Sequence, residues 1–133
     1  MTNRTFVVGG RRTPTFGTAA AKTAHKKGTT FKFTLSEAAT ARIVIAQRRP
    51  GRRKGKKCVA PTKKLARAKK CTRIVTEGTL TRVSHPGANR VAFTGRIGTK
   101  ALRPGRYQAT LTATDAARNT SARRTIFFKI VSP

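Results

Sequence analysis

Alternating apolar and polar side chains are the main structural pattern along this sequence. Tyr107, Ala109, Leu111 and Ala113 alternate with glutamine and threonine without a break. A period of two residues is typical of a β-strand with one buried face and one face in solvent. The chain therefore predicts about seven strands and no convincing helix. The other strand candidates are residues 5–8, 28–37, 39–49, 72–83, 90–97 and 123–131.

The spacing of these strands indicates an all-β fold. About seven half-buried antiparallel strands joined by short turns predict a two-sheet β-sandwich. We expect residues 28–133 to form this sandwich, and residues 1–27 to add a short strand and a loose connection. Residues 48–73 contain proline and glycine among many cations, so we expect a basic loop insertion there. Like charges four residues apart oppose a helix over residues 62–70, which leaves a loop or one frayed turn.

The net charge is extreme for a chain of this length. Lysine and arginine number 31 against three acidic residues, which gives a formal charge of +28. So strong a positive field attracts nucleic acid, teichoic acid, acidic polysaccharide and anionic lipid alike. A high net charge can also keep a chain unfolded, but the patterned apolar residues favour a folded core. The charge therefore predicts polyanion binding without identifying the native partner.

The cations are densest between residues 48 and 73. Two interpretations fit: a solvated protrusion whose charges repel one another, or a finger that contacts phosphate and similar anions by charge alone. No aromatic residue is interleaved with these cations, so stacking of nucleic acid bases is not expected. The candidate anion-binding residues are Arg48, Arg49, Arg52, Arg53, Lys54, Lys56, Lys57, Lys63, Lys64, Arg67, Lys69, Lys70 and Arg73.

Candidate catalytic and metal-binding residues are sparse. The three acidic residues lie in different segments and form no obvious carboxylate pair, and the two histidines, His25 and His85, are far in sequence from Cys58 and Cys71. A zinc site would need two more ligands close to the cysteines. We therefore predict a protein that is not an enzyme, with no metal and no cofactor.

The sequence also lacks the patterns that direct a chain to a membrane. No run approaches the ~18 apolar residues of a membrane span. The first residues contain no apolar leader, which favours a cytoplasmic protein. The alternative is that this sequence is a module of a longer, exported chain.

Two motifs resemble those of immunoglobulin-like and fibronectin type III β-sandwich modules in exported and surface proteins of high-GC bacteria. The first is Leu-Arg-Pro-Gly-Arg-Tyr over residues 102–107, and the second is Asp-Ala-Ala-Arg-Asn-Thr-Ser over residues 115–121. With the strands around them, the resemblance covers roughly residues 28–131. It implies an immunoglobulin-like fold in an accessory, non-enzymatic module, often at the C-terminal end of a longer chain.

The first motif implies a tyrosine corner. The ring of Tyr107 is expected to be buried, and its hydroxyl to bond to the backbone near Ala101 or Leu102. Pro104 fixes φ and Gly105 permits a tight bend, so these two residues would form the turn before the strand.

The second motif implies a hairpin turn supported by Asp115 and Asn119. Arg118 stands where glycine is usual, and Asn119 tolerates a positive φ. A lone carboxylate in so positive a field is a poor calcium ligand, so we expect Asp115 to cap the turn rather than bind a metal.

The exported β architecture further implies a disulfide between Cys58 and Cys71. The alternative is two free thiols in a reducing cytoplasm. A disulfide would hold together a loop whose cations repel one another, and closing a loop of this size contributes ~3 kcal/mol by restricting the unfolded chain. It would favour an extracellular or cell-surface location over the cytoplasm.

These observations lead to two main hypotheses about function. The first is an extracellular structural or adhesion module whose basic loop contacts anionic cell-wall polymers or acidic glycans. The alternative is an intracellular protein that binds nucleic acid without sequence preference, favoured by the charge and by the missing leader. An antimicrobial or membrane-surface role is a weaker third hypothesis.

Overall fold

The computed structural model describes residues 5, 6, 8, 13, 16–18 and 28–131. The prediction of an all-β fold is confirmed, and the one helical element among these residues is a 3-10 turn over Lys63–Leu65. Most of the loose connection predicted before residue 28 lies outside the described residues, as do residues 132 and 133. The strands are β1 (Thr5–Phe6), β2 (Phe16–Thr18), β3 (Thr29–Leu35), β4 (Ala39–Lys54), β5 (Lys57–Val59), β6 (Lys70–Ser84), β7 (Gly87–Phe93), β8 (Arg96–Ile97), β9 (Lys100–Ala101), β10 (Gly105–Thr114) and β11 (Arg124–Ile130).

The larger sheet is built around β4, β6 and β10. Its strand order is β1-β11-β10-β4-β6-β2, and β5 pairs with the end of β4. The long strands are antiparallel, whereas β1 runs parallel to β11 and β2 runs parallel to β6. These short N-terminal strands add two parallel pairs to the predicted antiparallel arrangement. They cover parts of the sheet edges, where N–H and C=O groups would otherwise be unpaired.

A second, smaller layer consists of β3 and β7. The two strands pair antiparallel from Thr29 opposite Phe93 to Leu35 opposite Gly87, and β8 and β9 form a short separate ribbon. The chain changes sheet between β3 and β4 and again between β6 and β7. At the second crossing the Asn89 amide donates to the carbonyls of His85 and Gly87, which holds the turn between β6 and β7.

The two layers share one hydrophobic core. Ile45 of β4 and Leu80 of β6 are fully buried. Aromatic rings connect the layers, since the ring centroid of Phe128 on β11 lies 6.3 Å from that of Phe31 and 6.0 Å from that of Phe93. Aromatic pairs at such distances stabilise a fold beyond the area that they bury.

A β-bulge interrupts the pairing of β4 with β6. Ile45 lies opposite Gly78 but Ala46 lies opposite Thr76, so Glu77 is the extra residue on β6. The bulge lies beside Gly78, inside the strand that the sequence predicts over residues 72–83. A bulge increases the local twist and re-aims nearby side chains, and here it separates the body of the sheet from an extension that we call the basic arm, residues 49–73.

The basic arm corrects the prediction that the insertion is a loop. β4 continues to Lys54, a turn at Gly55 and Lys56 leads into β5, and β6 begins at Lys70. Only residues 60–69 connect the strands, and the 3-10 turn there agrees with the predicted frayed turn. Proline and glycine do not end β4 because β10 pairs with it only as far as Arg48 and β5 only from Arg52, which leaves Pro50 beside a single neighbouring strand.

Candidate anion-binding site

The basic arm is a strand structure that its disulfide fastens across the middle. β4 lies between β5 and β6, with Arg53 opposite Cys58 and Gly51 opposite Cys71. Cys58 and Cys71 are bonded, with their Cα atoms 6.0 Å apart, so the predicted disulfide is confirmed. A Cβ atom at Gly51 would lie 2.6 Å from the Cys58 sulfur. Glycine is therefore required where the disulfide passes over β4.

Three of the predicted anion-binding arginines also bond to the backbone of the arm. Arg52 Nη1 donates to the Ala68 carbonyl at 2.8 Å, and Arg53 Nη1 donates to the Lys56 carbonyl at 3.3 Å. Arg73 Nε donates to the Pro50 carbonyl across the β4–β6 pair at 3.4 Å. Arg52 and Arg53 hold the connection and the turn against β4, and Arg73 links β6 to β4, so part of the charge has a structural role.

Arg49 lies at the base of the arm and pairs with an acid. Its Nη2 is 3.6 Å from a carboxylate oxygen of Glu77, whose other oxygen accepts from Lys100 Nζ at 3.0 Å. Arg49 Nε also donates to the Gln47 side chain at 2.7 Å. The side chain of Glu77 is only 10 % exposed. The bulge thus places the carboxylate of Glu77 between two cations. Because Arg49 already pairs with this carboxylate, it is a poor candidate for binding an external anion.

The remaining cations of the arm face solvent. Eight predicted anion-binding side chains are exposed and form no hydrogen bond or ion pair with any residue that the structure describes. Seven of them are lysines, which act as compact, strongly hydrated point charges. The eight are Lys54, Lys56, Lys57, Lys63, Lys64, Arg67, Lys69 and Lys70.

Folding brings an aromatic ring to the basic surface, which the sequence does not predict. The guanidinium carbon of Arg48 lies 4.8 Å from the ring centroid of Phe127, a side chain that is 51 % exposed. The alternation in β11 already places Phe127 on the solvent side. Phe127 lies close to Arg48 because β10 is placed between β4 and β11 in the sheet. The alternation of apolar and polar residues does not predict this strand order.

The Tyr107 side chain is buried and bonds to the backbone in the region that the first motif predicts. It is 1 % exposed, and its hydroxyl donates at 2.5 Å to the carbonyl of Arg103, the residue after Leu102. The Leu102 N–H donates to the Gly95 carbonyl at 2.9 Å, which ties the residues before the turn to the loop after β7. The bend at Pro104 leaves the Arg103 carbonyl as the one that reaches the hydroxyl. Burial raises the pKa of Tyr107 to about 12, with the Glu77 charge as a further cause.

The turn of the second motif differs in detail. Asp115 accepts the Asn119 backbone N–H at 2.9 Å, as expected of a turn cap. The positive φ is at Arg118, with a value of 65°, and not at Asn119, so the arginine adopts a backbone conformation that favours glycine. Hydrogen bonding and charge from Asp115 raise the pKa of Glu37, while the Asn119 N–H lowers the pKa of Asp115. Two acids from distant segments therefore meet on the surface, which the sequence does not predict.

Comparison with known proteins identifies no relative of this chain. No family model, curated protein or solved structure matches the chain significantly. Among residues 28–131 and the shorter described stretches before them, no group of three or more histidine, cysteine or acidic side chains is placed to hold a metal. No helix in the described part of the chain is long and apolar enough to cross a membrane.

Proposed function

We propose that this chain is a non-enzymatic, immunoglobulin-like module of an exported or surface protein, and that its basic arm binds anionic cell-wall polymers or acidic glycans. The observation that carries the proposal is the set of eight exposed arm cations without a partner among the described residues. The backbone that carries these cations is held by the disulfide and by three arginines that donate to backbone carbonyls.

The architecture of the arm supports binding by charge alone. The exposed lysines lie on the strands, the turn and the connection of the arm. They offer many positive charges over a short length of chain, and a flexible polyanion can contact them in several registers. The described residues include no α-helix to enter a nucleic acid groove, so we expect little dependence on base sequence.

The disulfide supports an oxidising location. Disulfides persist in secreted and surface proteins and are rare in the cytoplasm. Polymers of the cell surface are therefore a better match for the arm than intracellular nucleic acid, although duplex DNA should also bind in low salt.

Binding by variants with matched charge tests the proposal. The arm-neutralised variant replaces Lys63, Lys64, Arg67, Lys69 and Lys70 by glutamine, and all five side chains are exposed. The control variant replaces five exposed cations elsewhere, Lys32, Arg42, Arg103, Arg123 and Arg124, and so has the same net charge. We expect the arm-neutralised variant to bind teichoic acid or polyuronate at least about tenfold more weakly than the control variant in titration calorimetry.

Two results would argue against the proposal. Equal loss in both variants would show that binding depends on net charge and not on the arm. A preference for one DNA sequence that survives ~0.2 M salt would indicate a dedicated nucleic-acid-binding protein, since charge contacts alone weaken steeply with salt.

A further inference from the structure

We infer that the outer face of the larger sheet, next to the basic arm, holds a subsite for a sugar ring with a carboxylate, such as a uronate unit of an acidic polysaccharide. The subsite consists of Phe127 and Ile74 together with a charged row, Lys129, Arg106 and Arg48. This inference rests on the proposed function, because it names the unit of the anionic polymer that is recognised.

The charged row is a consequence of strand register. Lys129 on β11 lies opposite Arg106 on β10, and Arg106 lies opposite Arg48 on β4. Arg48 in turn lies opposite Ile74 on β6. Neighbouring strands are about 4.8 Å apart, so the three cations form a line across adjacent strands on the face that points away from the core.

Such a row is unfavourable in the absence of an anion. Like charges directly opposite each other destabilise a pair of strands. The next rows on the same face contain no such cluster: Gln108 lies opposite Phe127, and Thr110 lies opposite Thr125 and Val44. A carboxylate bound between the cations would offset their repulsion, and arginine can contact it with two parallel hydrogen bonds.

Apolar surface lies beside the charged row. Phe127 is 51 % exposed and Ile74 is 50 % exposed, and both are among the few large apolar side chains so exposed in the described part of the chain. The C–H face of a pyranose ring can cover the flat face of phenylalanine, while its carboxylate lies over the cations. Arg48 already contacts the Phe127 ring at 4.8 Å, which places charge next to the apolar surface.

A saccharide fits this surface better than a single-stranded nucleic acid. Proteins that bind single strands stack successive bases on several aromatic side chains, whereas Phe127 is the one strongly exposed aromatic ring that the structure describes. Gln108 and Thr76, which lie in the Phe127 row, offer hydrogen bonds to sugar hydroxyl groups. Arg52 is on the same face of β4 as Arg48 and about 13 Å further along the strand, so a polymer can run from the subsite onto the arm.

Binding of four probes to Phe127 variants tests the inference. The probes are a polyuronate oligosaccharide, its neutral reduced analogue, polyphosphate and a single-stranded oligonucleotide. We expect Phe127→Ala and Phe127→Leu to weaken uronate binding about tenfold while leaving polyphosphate binding unchanged, because polyphosphate has no ring to stack. Val83→Ala is the control, since Val83 is exposed on the same sheet but lies outside the subsite. Circular dichroism confirms that each variant is folded.

Each other outcome would overturn the inference. Unchanged uronate binding by both Phe127 variants would exclude a stacking role. Equal loss for polyphosphate would show that Phe127 acts only by orienting Arg48, and a loss confined to the oligonucleotide would assign the surface to nucleic acid. If the wild-type chain binds none of the anions, the proposed function fails together with the subsite; if it binds uronate in an arm-dependent manner without Phe127, only the subsite fails.

Discussion

At the scale of single residues, Tyr107 connects the core to the turn before β10. Its ring stacks on Phe128 with centroids 5.5 Å apart, and its hydroxyl donates to the Arg103 carbonyl. Tyr107→Phe keeps the ring and removes this hydrogen bond, so we expect the free energy of unfolding to fall by about 0.5–1.5 kcal/mol. Denaturant titration measures the change. Equal stability of the two proteins would show that the hydrogen bond from Tyr107 to the Arg103 carbonyl does not stabilise the fold.

The ionisation of Tyr107 gives a second residue-scale prediction. Burial raises its pKa to about 12, above the value of about 10 for an unfolded tyrosine. The stability that comes from the neutral hydroxyl is therefore complete below about pH 10 and lost as the pH rises through about 12. Tyr107 is the only tyrosine, so the absorbance of tyrosinate follows it alone. If the Tyr107 hydroxyl titrated with the same pKa in the folded and in the urea-unfolded chain, the burial of this side chain would be ruled out.

Gly51 provides a residue-scale test of the arm. An added methyl group would approach the Cys58 sulfur, the Arg73 side chain and the Val59 carbonyl, all within 2.9 Å. We expect Gly51→Ala to destabilise the chain by about 1–3 kcal/mol, the usual range for overpacking. The same substitution in a chain with both cysteines changed to serine should have a smaller effect. An equal effect in both backgrounds would mean that the disulfide does not impose the glycine.

At the scale of strands, alternation predicts which side chains point inward but not how far a strand extends. Tyr107, Ala109 and Ala113 are buried as the period of two predicts. The same pattern cannot show that β4 runs on to Lys54, because Pro50 is a strand breaker unless the neighbouring strands leave a gap beside it. That gap depends on where β10 ends and β5 begins, which is a property of pairing between distant segments.

The bulge in β6 gives the strand-scale prediction. Glu77 pairs with Arg49 and Lys100 at the junction of the arm and the sheet. Glu77→Gln leaves these cations near each other without a carboxylate, so we expect a loss of about 1–2 kcal/mol in the free energy of unfolding. Glu37→Gln is the matched control, because Glu37 is exposed and its acidic neighbour Asp115 disfavours its charge. Two variants of equal stability would show that the Glu77 pairs are not stabilising.

At the scale of the whole molecule, composition predicts that the chain attracts polyanions, but it does not predict which cations are free to bind them. The +28 charge and the basic segment are evident in the sequence. The fold then divides the candidate cations into a bonded set, such as Arg49 and Arg52, and an exposed set on the arm. It also brings Phe127 next to Arg48 from the far end of the chain. Side-chain partners of this kind follow from strand order, and a pattern with a period of two does not encode strand order.

The salt dependence of binding is the most direct test of the central claim that the arm is the anion-binding site. For charge contacts, the logarithm of affinity falls linearly with the logarithm of salt concentration, by about one unit of slope for each contacting cation. We predict that the arm-neutralised variant has a slope about three to five units shallower than the wild-type chain with the same polyanion, and that the control variant differs by less than about one unit. Equal slopes for wild-type and arm-neutralised chains would show that the anion binds elsewhere.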